Sequence, residues 1–432
     1  MSCNAFINPP KISGQQWPCA GTTIANLIAV YAWQTMNAHA PPVLFGAFDR
    51  HNFGDLLFPH LLGALLPGRA FAFAGLAARD LRALGGHRVS ALGGGPRPAG
   101  LIHAGGELLT CTAWQAAVML LDPAAAAATI SRYGDDPAAA AAWAARQLGT
   151  SRSMPYVVGR DALAPCGKLI FNAVGGVEWD VLSAAERGEV KAALVQADWL
   201  SVRDHVTQAA LRAEGIAVPL CPDPAVMVEQ CFGEVIRRHQ RQGAMKAILG
   251  AFPQGYLACQ FSADFADDAS LDALAQGLSK VAAATGLGVA LFCAGTAPWH
   301  DDPALAGKLL RRLPPGAARL FSSLHLWDIC ALIAAGRGVL GSSLHGRIVA
   351  LAYGLPRVSL MPPQQGARPD KRAAFAETWE PDAVPRSVAV DRIEPALLQA
   401  LAVPADLLRE NAASLRERYL QSQSQWAGLL PP

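Results

Sequence analysis

Charged residues are scarce in this chain. Asp, Glu, Lys and Arg make up 16% of its 432 residues, against 52% hydrophobic residues. Disorder needs the opposite balance, so the composition is that of a globular protein. The net charge of +2 argues against a nucleic-acid binder, which needs a dense basic face, and leaves room for a local basic pocket. Nine cysteines are present, but there is no C-x-x-C pair, no regular spacing and no histidine cluster beside Cys3 and Cys19. No metal site is expected, and the scattered thiols point to a reduced, cytoplasmic protein. Runs of about 18 apolar residues are missing, so no membrane span is expected, which leaves peripheral contact with a membrane face open. The start, Met1 to Gln16, lacks the charged-then-apolar pattern of a signal peptide. Cys19 to Thr35 reads as a core helix.

What the chain does have is alternation. Short apolar runs read as strands at 43–46, 101–104, 168–174, 199–202 and 217–220, then at 255–261, 288–293, 318–321, 338–341 and 357–360. Helical stretches separate them. Strands alternating with helices imply parallel sheets covered on both faces. The length suits two such domains. The fold class expected is therefore α/β, with two doubly wound Rossmann-like domains facing across a cleft. The division expected is an N-terminal domain over 1–230, a C-terminal domain over 231–403 and a helix over 404–432 packing back across them. An Ala-rich stretch near 122–148, broken by Pro123, Gly134 and Pro137, reads as an inserted helical pair.

In doubly wound sheets ligands sit beyond the C-terminal strand ends, so polar residues there carry the weight. Phe48–Asp55 crowds acids, a base, an imidazole and an amide into eight residues. Asp55 suits a helix N-cap, which leaves Asn52 and Gly54 without an explanation. His103-Ala-Gly105-Gly106 ends a second strand, its paired glycines permitting close approach of a ligand. Arg203 stands at the end of an apolar run, and its guanidinium suits bidentate capture of a carboxylate or phosphate. A structural Arg203–Asp204 pair is the plainer alternative. Asp223-Pro224 marks a turn. Gly341-Ser-Ser343-Leu-His345-Gly-Arg347 reads as a strand-to-helix turn with an imidazole at its mouth, where helical N–H groups favour an anion. Lys371 lies in a charge cluster that locally reads as a solvated loop. His325 reads as a packing or cap residue, and His300 beside Asp301 and Asp302 is a metal reading lacking a second histidine.

Taken together over roughly residues 43–375, these strand ends resemble the polysaccharide pyruvyl transferase family. Asn52-Phe-Gly-Asp55 is similar to its N-x-G-D loop, and His103-Ala-Gly-Gly106 to its glycine pair. Val202-Arg203-Asp204 with Thr207 is similar to its V-R-D-x-x-[ST] element, and Asp223-Pro224 to its D-P. Leu344-His345-Gly with Gly354-Leu-Pro356 is similar to its L-H-[AG] and G-x-P. The resemblance implies an architecture similar to B-type glycosyltransferases. It implies an enzyme that moves a pyruvate group from phosphoenolpyruvate onto two sugar hydroxyls as a ketal, in exopolysaccharide or other glycan biosynthesis. No metal or cofactor is implied beyond phosphoenolpyruvate as co-substrate. The acceptor is a sugar or a lipid-linked oligosaccharide.

By the same resemblance the catalytic positions are His345, as acid or base, and Arg203. Lys371 and Arg347 are expected to bind the anionic donor, Asn52 and Asp55 to orient sugar hydroxyls, and Gly105, Gly106 and Ser343 to line the site. One position departs from the pattern. Many members carry arginine immediately before Leu-His, whereas Ser343 stands here and Arg347 lies two residues beyond His345. A nucleotide-sugar glycosyltransferase of the same architecture is the alternative. A catalytically silent sugar-binding relative is the third reading.

Overall fold

The computed structural model describes residues 41–94, 97–165, 167–363 and 370–430; the helix expected over Cys19–Thr35 lies outside them. Thirteen strands form two sheets. The first holds β1 (Val43–Phe45), β2 (Ala72–Gly75), β3 (Arg79–Asp80), β4 (Arg88–Ala91), β5 (Gly100–His103), β6 (Lys168–Val174) and β7 (Trp199–Val202), in the order β3-β4-β2-β1-β5-β6-β7. The second holds β8 (Tyr256–Gln260), β9 (Gly288–Leu291), β10 (Ala318–Leu320), β11 (Gly338–Gly341), β12 (Arg357–Leu360) and β13 (Ser387–Val388), in the order β10-β9-β8-β11-β12-β13. All pairings are parallel except β3 with β4. With β3 set aside, each sheet has the doubly wound order 3-2-1-4-5-6, which places a topological switch point between β1 and β5 and another between β8 and β11.

The helices are α1 (Phe53–Leu65), α2 (Ala113–Met119), α3 (Pro123–Tyr133), α4 (Pro137–Leu148), α5 (Ala184–Leu194), α6 (His205–Ala213), α7 (Val228–Gln240) and α8 (Ala244–Ala251). They continue as α9 (Asp268–Thr285), α10 (Pro303–Leu310), α11 (Leu326–Ala335), α12 (Leu344–Ala352), α13 (Lys371–Trp379), α14 (Ile393–Ala402) and α15 (Ala405–Ala427). The central strands are fully buried, as parallel strands covered on both faces must be. The passage between sheets runs through α7 and α8, and the expected boundary at 230/231 falls inside α7. No helix of the described residues is long and apolar enough to cross a membrane.

The Ala-rich stretch forms α3 and α4, each opened by an aspartate cap followed by proline, Asp122-Pro123 and Asp136-Pro137. Its alanines let helices approach closely: Ala144 of α4 packs on Ala113 and Ala117 of α2. Helix α15 reaches both sheets' surroundings. Tyr419 Oη accepts from Asn172 of β6, Gln423 donates to the Leu65 carbonyl, and Arg416 donates to the Ala352 carbonyl. The strand expected over 217–220 is a single bridge, Val202 to Leu220. Strands β2, β3, β4 and β13 have no counterpart in the sequence expectations.

Candidate active site

A cavity of about 360 Å³ lies where the two sheets' C-terminal ends face one another. Its walls come from the loops after β1, β5, β8 and β11, the four strands flanking the two switch points, together with residues that follow β6, β7, β9 and β12. The loop after β1 is tied to the one after β9. Asn52 bridges Gly295, Phe53 N–H donates to the Ala294 carbonyl at 2.8 Å, and the His51 ring sits 3.1 Å from Thr296 Oγ1 and 3.0 Å from the Leu324 carbonyl.

Two side chains converge on one oxygen. Arg203 Nη1 donates to Asp223 Oδ2 at 2.9 Å, and His345 Nε2 stands 3.6 Å from that same Oδ2. Arg203 leaves the end of β7, Asp223 opens the 3-10 turn Pro224–Met227, and His345 sits in the first turn of α12. Arg203 pairs with Glu107 and Asp223, not Asp204: its Nη2 donates to Glu107 at 2.6 Å, while Asp204 caps α6 through the Thr207 N–H. Burial pushes the Asp223 carboxyl up, but His345, Arg203 and the Ala225 N–H outweigh it and hold it below the usual range. Asp223 is thus an anion that faces both the imidazole and the guanidinium. His345 Nε2 is buried and makes no hydrogen bond among the described residues.

The His345 ring is fixed from the other lobe by α1. Phe58 meets it edge-on at 5.2 Å between centroids, and Gly54, four residues earlier on the same helical face, abuts it directly. A Cβ at Gly54 would fall 2.0 Å from His345 Nδ1, so the glycine of the Asn-x-Gly-Asp loop is required by the imidazole of the Leu-His element. Gly54→Ala should therefore displace the ring, lowering turnover at least about tenfold and costing about 1–3 kcal/mol by overpacking. Phosphate release and urea midpoints check both; an unaffected turnover would detach the ring's placement from activity.

The remaining walls are of mixed charge. Arg50, Arg203, Lys371 and Arg372 face Asp55, Glu107, Glu178, Asp264 and Asp301. Arg50 donates to Tyr156 Oη at 2.7 Å, which in turn donates to the buried Asp49 at 2.8 Å. Arg372 is held by Asp370 and the Ser342 carbonyl. Lys371 opens α13 at the cavity and makes no ion pair among the described residues. His300 is kept neutral, near 4, by burial and then by the charges of Arg50 and Lys371. Asp301 accepts from Ala294 N–H and Gln260 Nε2, both at 2.6 Å, yet burial raises it to about 7.

That shift has a sign. The folded value lies above the unfolded one, near 3.9, so Asp301's contribution to stability is fully present below the unfolded value and is lost as pH rises through about 7. Asp301→Asn, which cannot ionise, should gain stability relative to the wild type between pH 4.5 and pH 8. Urea midpoints at those two pH values check it, and a pH-independent difference would contradict it.

Some expected site residues take other roles. Arg347 does not reach the cavity. It is 2% exposed and clamps Glu380 with two bonds, Nε to Oε1 at 2.7 Å and Nη2 to Oε2 at 2.9 Å, while also donating to the Pro385 carbonyl. Gly105 and Gly106 do not line it either. Both have positive φ (118° and 93°), and a Cβ on Gly105 would meet Phe58 at 3.0 Å, so they serve a backbone turn packed on that ring. His103 is wholly buried, stacked on Phe171 and accepting the Val158 N–H. The cap of α1 is Asn52, through the Gly54 N–H, and Asp55 lies in the first turn. Asn52, Asp55, Ser343 (the cap of α12), His345, Arg203 and Lys371 all line the cavity.

Several wall residues escaped the sequence reading. Glu107 was visible only as the end of a glycine loop, because it pairs with Arg203 across long chain separation; Asp223, buried behind the wall, was read as a turn and a D-P element. Gln260 and Trp299 carried no spacing signal, while Arg50 was counted only as the base of the Phe48–Asp55 loop and Asp301 only in a metal reading. Gly175 did: a Cβ there would lie 2.6 Å from Glu107 Oε2 and 2.8 Å from Arg203 Nε, so the Gly-Gly after β6 makes room for that ion pair. Among the described residues one group, His239, His325 and Asp328, has metal-ligand proximity; it is not part of the cavity wall.

The chain is similar in structure to a UDP-N-acetylglucosamine 2-epimerase, described as putative, from Listeria monocytogenes, with a TM-score of 0.50, 12% identity and coverage of 91% of this chain and 98% of that one. It is also similar to the UDP-GlcNAc 2-epimerase of Methanocaldococcus jannaschii, with a TM-score of 0.50, 10% identity and coverage of 87% and 98%. At such identities the likeness shows the fold alone, two Rossmann-like lobes of the B type. No curated protein sequence matches the chain. Residues 153–362, which carry Arg203, Asp223 and His345, match polysaccharide pyruvyl transferase, the family that the strand-end elements read above resemble.

Proposed function

We propose that the cavity transfers pyruvate from phosphoenolpyruvate to two hydroxyls of a sugar in a glycan precursor. The observation that supports this most is the convergence of Arg203 and His345 on a single Asp223 oxygen. The donor carries a carboxylate and a phosphate. Lys371 supplies a cation not engaged by any described carboxylate, Arg50 and Arg203 supply guanidinium groups, and α12 begins at the cavity with the positive end of its dipole. Glu107 is the partner that an incoming anion would replace on Arg203.

In this reading the methylene carbon of the enol takes a proton and becomes a methyl group. The adjacent carbon gains positive character and bonds to one sugar oxygen, whose proton is lost. A second sugar oxygen then bonds to the same carbon as the carbon–oxygen bond to phosphate breaks, and its proton leaves with the phosphate. One hydroxyl proton thus ends on the methyl group and the other on phosphate. His345 serves as the acid or base, Asp223 orients it, and Asn52 and Asp55 face the sugar. The acceptor is free or lipid-linked, and the reaction is placed in the cytoplasm, at the membrane face where the acceptor is lipid-linked.

The test is ligand stabilisation followed by turnover. Phosphoenolpyruvate should raise the melting temperature, UDP- and GDP-sugars should not, and phosphate release should require both phosphoenolpyruvate and a saccharide. Stabilisation by a nucleotide sugar alone would overturn the proposal in favour of glycosyl transfer.

A further inference from the structure

Trp299 is the one described non-glycine residue besides Ala173 with positive φ, at 63°. It occupies the third position of a turn closed by His300 N–H to the Ala297 carbonyl at 3.1 Å, with Pro298 before it. That position of a type II turn favours glycine or asparagine, and a bulky residue there is an outlier that points to function. The strain does not serve packing: Trp299 is 46% exposed and lines the active-site cavity.

Opposite it stands Trp114 of α2, 6.5 Å between ring centroids. Trp114 is braced from behind by Trp143 of α4, edge-on at 5.5 Å, and Tyr133 of α3 stacks on Trp143 at 6.1 Å. The Ala-rich insert thus gains a role, because its alanines bring α4 against α2 and its aromatics fix Trp114. The rings come from both lobes: Trp299 lines the cavity and Trp114 stands behind it.

We infer that Trp299, with Trp114, forms the subsite for the pyranose ring of the acceptor glycan; this rests on the pyruvyl-transfer reading for the identity of the site. A pyranose offers an apolar C–H face to an aromatic ring and hydroxyl groups around its edge, and rigid indoles give large contact area with little entropy to lose. The cavity's carboxylates, Asp55, Glu178 and Asp264, are the acceptors such hydroxyls need.

Isothermal titration calorimetry of the full chain tests this without turnover. The titrants are methyl glucosides, galactosides, mannosides and N-acetylglucosaminides, their disaccharides, UDP and phosphoenolpyruvate. At least one saccharide should bind the wild type, bind Trp299→Gly at least tenfold more weakly, and bind Trp299→Phe nearly as the wild type does. Trp299→Gly relieves the positive φ, so its melting temperature should hold or rise, separating loss of the ring from loss of the fold. Equal saccharide affinity in Trp299→Gly, no saccharide binding to the wild type, or ring-dependent binding of UDP would each overturn the inference. Ring-dependent saccharide binding without any phosphoenolpyruvate binding would sustain it and overturn pyruvyl transfer instead.

Discussion

Replacing His345 by alanine should lower turnover by roughly 10²–10⁴-fold, the usual contribution of a positioned acid or base, while phosphoenolpyruvate still binds. The ring is 7% exposed and clamped between Gly54 and Phe58, and its Nε2 has no bond beyond the 3.6 Å approach to Asp223. Such long contacts are common before substrate arrives. Asp223 cannot move to meet the ring, because Arg203 and the Ala225 N–H hold both its oxygens. The imidazole is thus presented with one nitrogen committed to nothing. Truncation removes the proton carrier and leaves the cations in place, so the loss should fall on kcat with KM for phosphoenolpyruvate changed little. Steady-state phosphate release checks it, and a KM effect with normal kcat would make His345 a binding residue.

The second large effect is on stability, from Glu380→Ala. Glu380 takes two bonds from Arg347 and one from Arg357 Nε at 2.8 Å, and all three side chains are at most 2% exposed. Removing the carboxylate leaves two guanidinium groups buried beside each other with only carbonyls and hydroxyls as partners. Breaking a buried pair in this way costs about 3–5 kcal/mol, and here one acid serves two cations. The same network explains an acid limit in the wild type. Burial pushes Glu380 up, but Arg347 and Arg357 outweigh it and hold it below the ordinary value. Its contribution is therefore present above the unfolded value and lost as pH falls through the folded one. Urea midpoints of Glu380→Ala at neutral pH check the prediction; a change within 1 kcal/mol would mean Arg347 is free to act elsewhere.

The contrast between His345 and Arg347 shows what a sequence can and cannot carry. Both sit in one short element, and the motif marks both. At 3.6 residues per turn, positions two apart point to nearly opposite sides of a helix. Once α12 begins at Leu344, the imidazole and the guanidinium cannot share a cavity, and Arg347 turns to Glu380. The sequence reading took residues 341–347 as a strand-to-helix turn, which hid this. The order of strands and helices was legible because the central strands are continuous apolar runs. Strands β2 and β4 were not, since Ala72–Gly75 has little bulk and Arg88–Ala91 buries only Val89 fully.

Glycines carried more than their loops suggested. Gly54 and Gly175 are both explained by what a Cβ would strike, His345 in one case and the Arg203–Glu107 pair in the other. Neither partner is near in sequence, so only the fold gives the reason. The family match over 153–362 begins well past Asn52–Asp55, yet those residues close the same cavity. The Ala-rich insert was legible as a helical pair through its alanine content and the breaks at Pro123, Gly134 and Pro137, while its aspartate caps and the bracing of Trp114 by Trp143 emerge only in the fold.

Phosphoenolpyruvate soaked into crystals of the wild-type protein tests the central claim most directly. The account predicts its phosphate and carboxylate between Lys371, Arg50 and Arg203, with the methylene carbon beside His345 Nε2 and Glu107 displaced from the Arg203 guanidinium. Phosphoenolpyruvate bound away from these residues, with the Arg203–Glu107 and Arg203–Asp223 pairs intact, would contradict it.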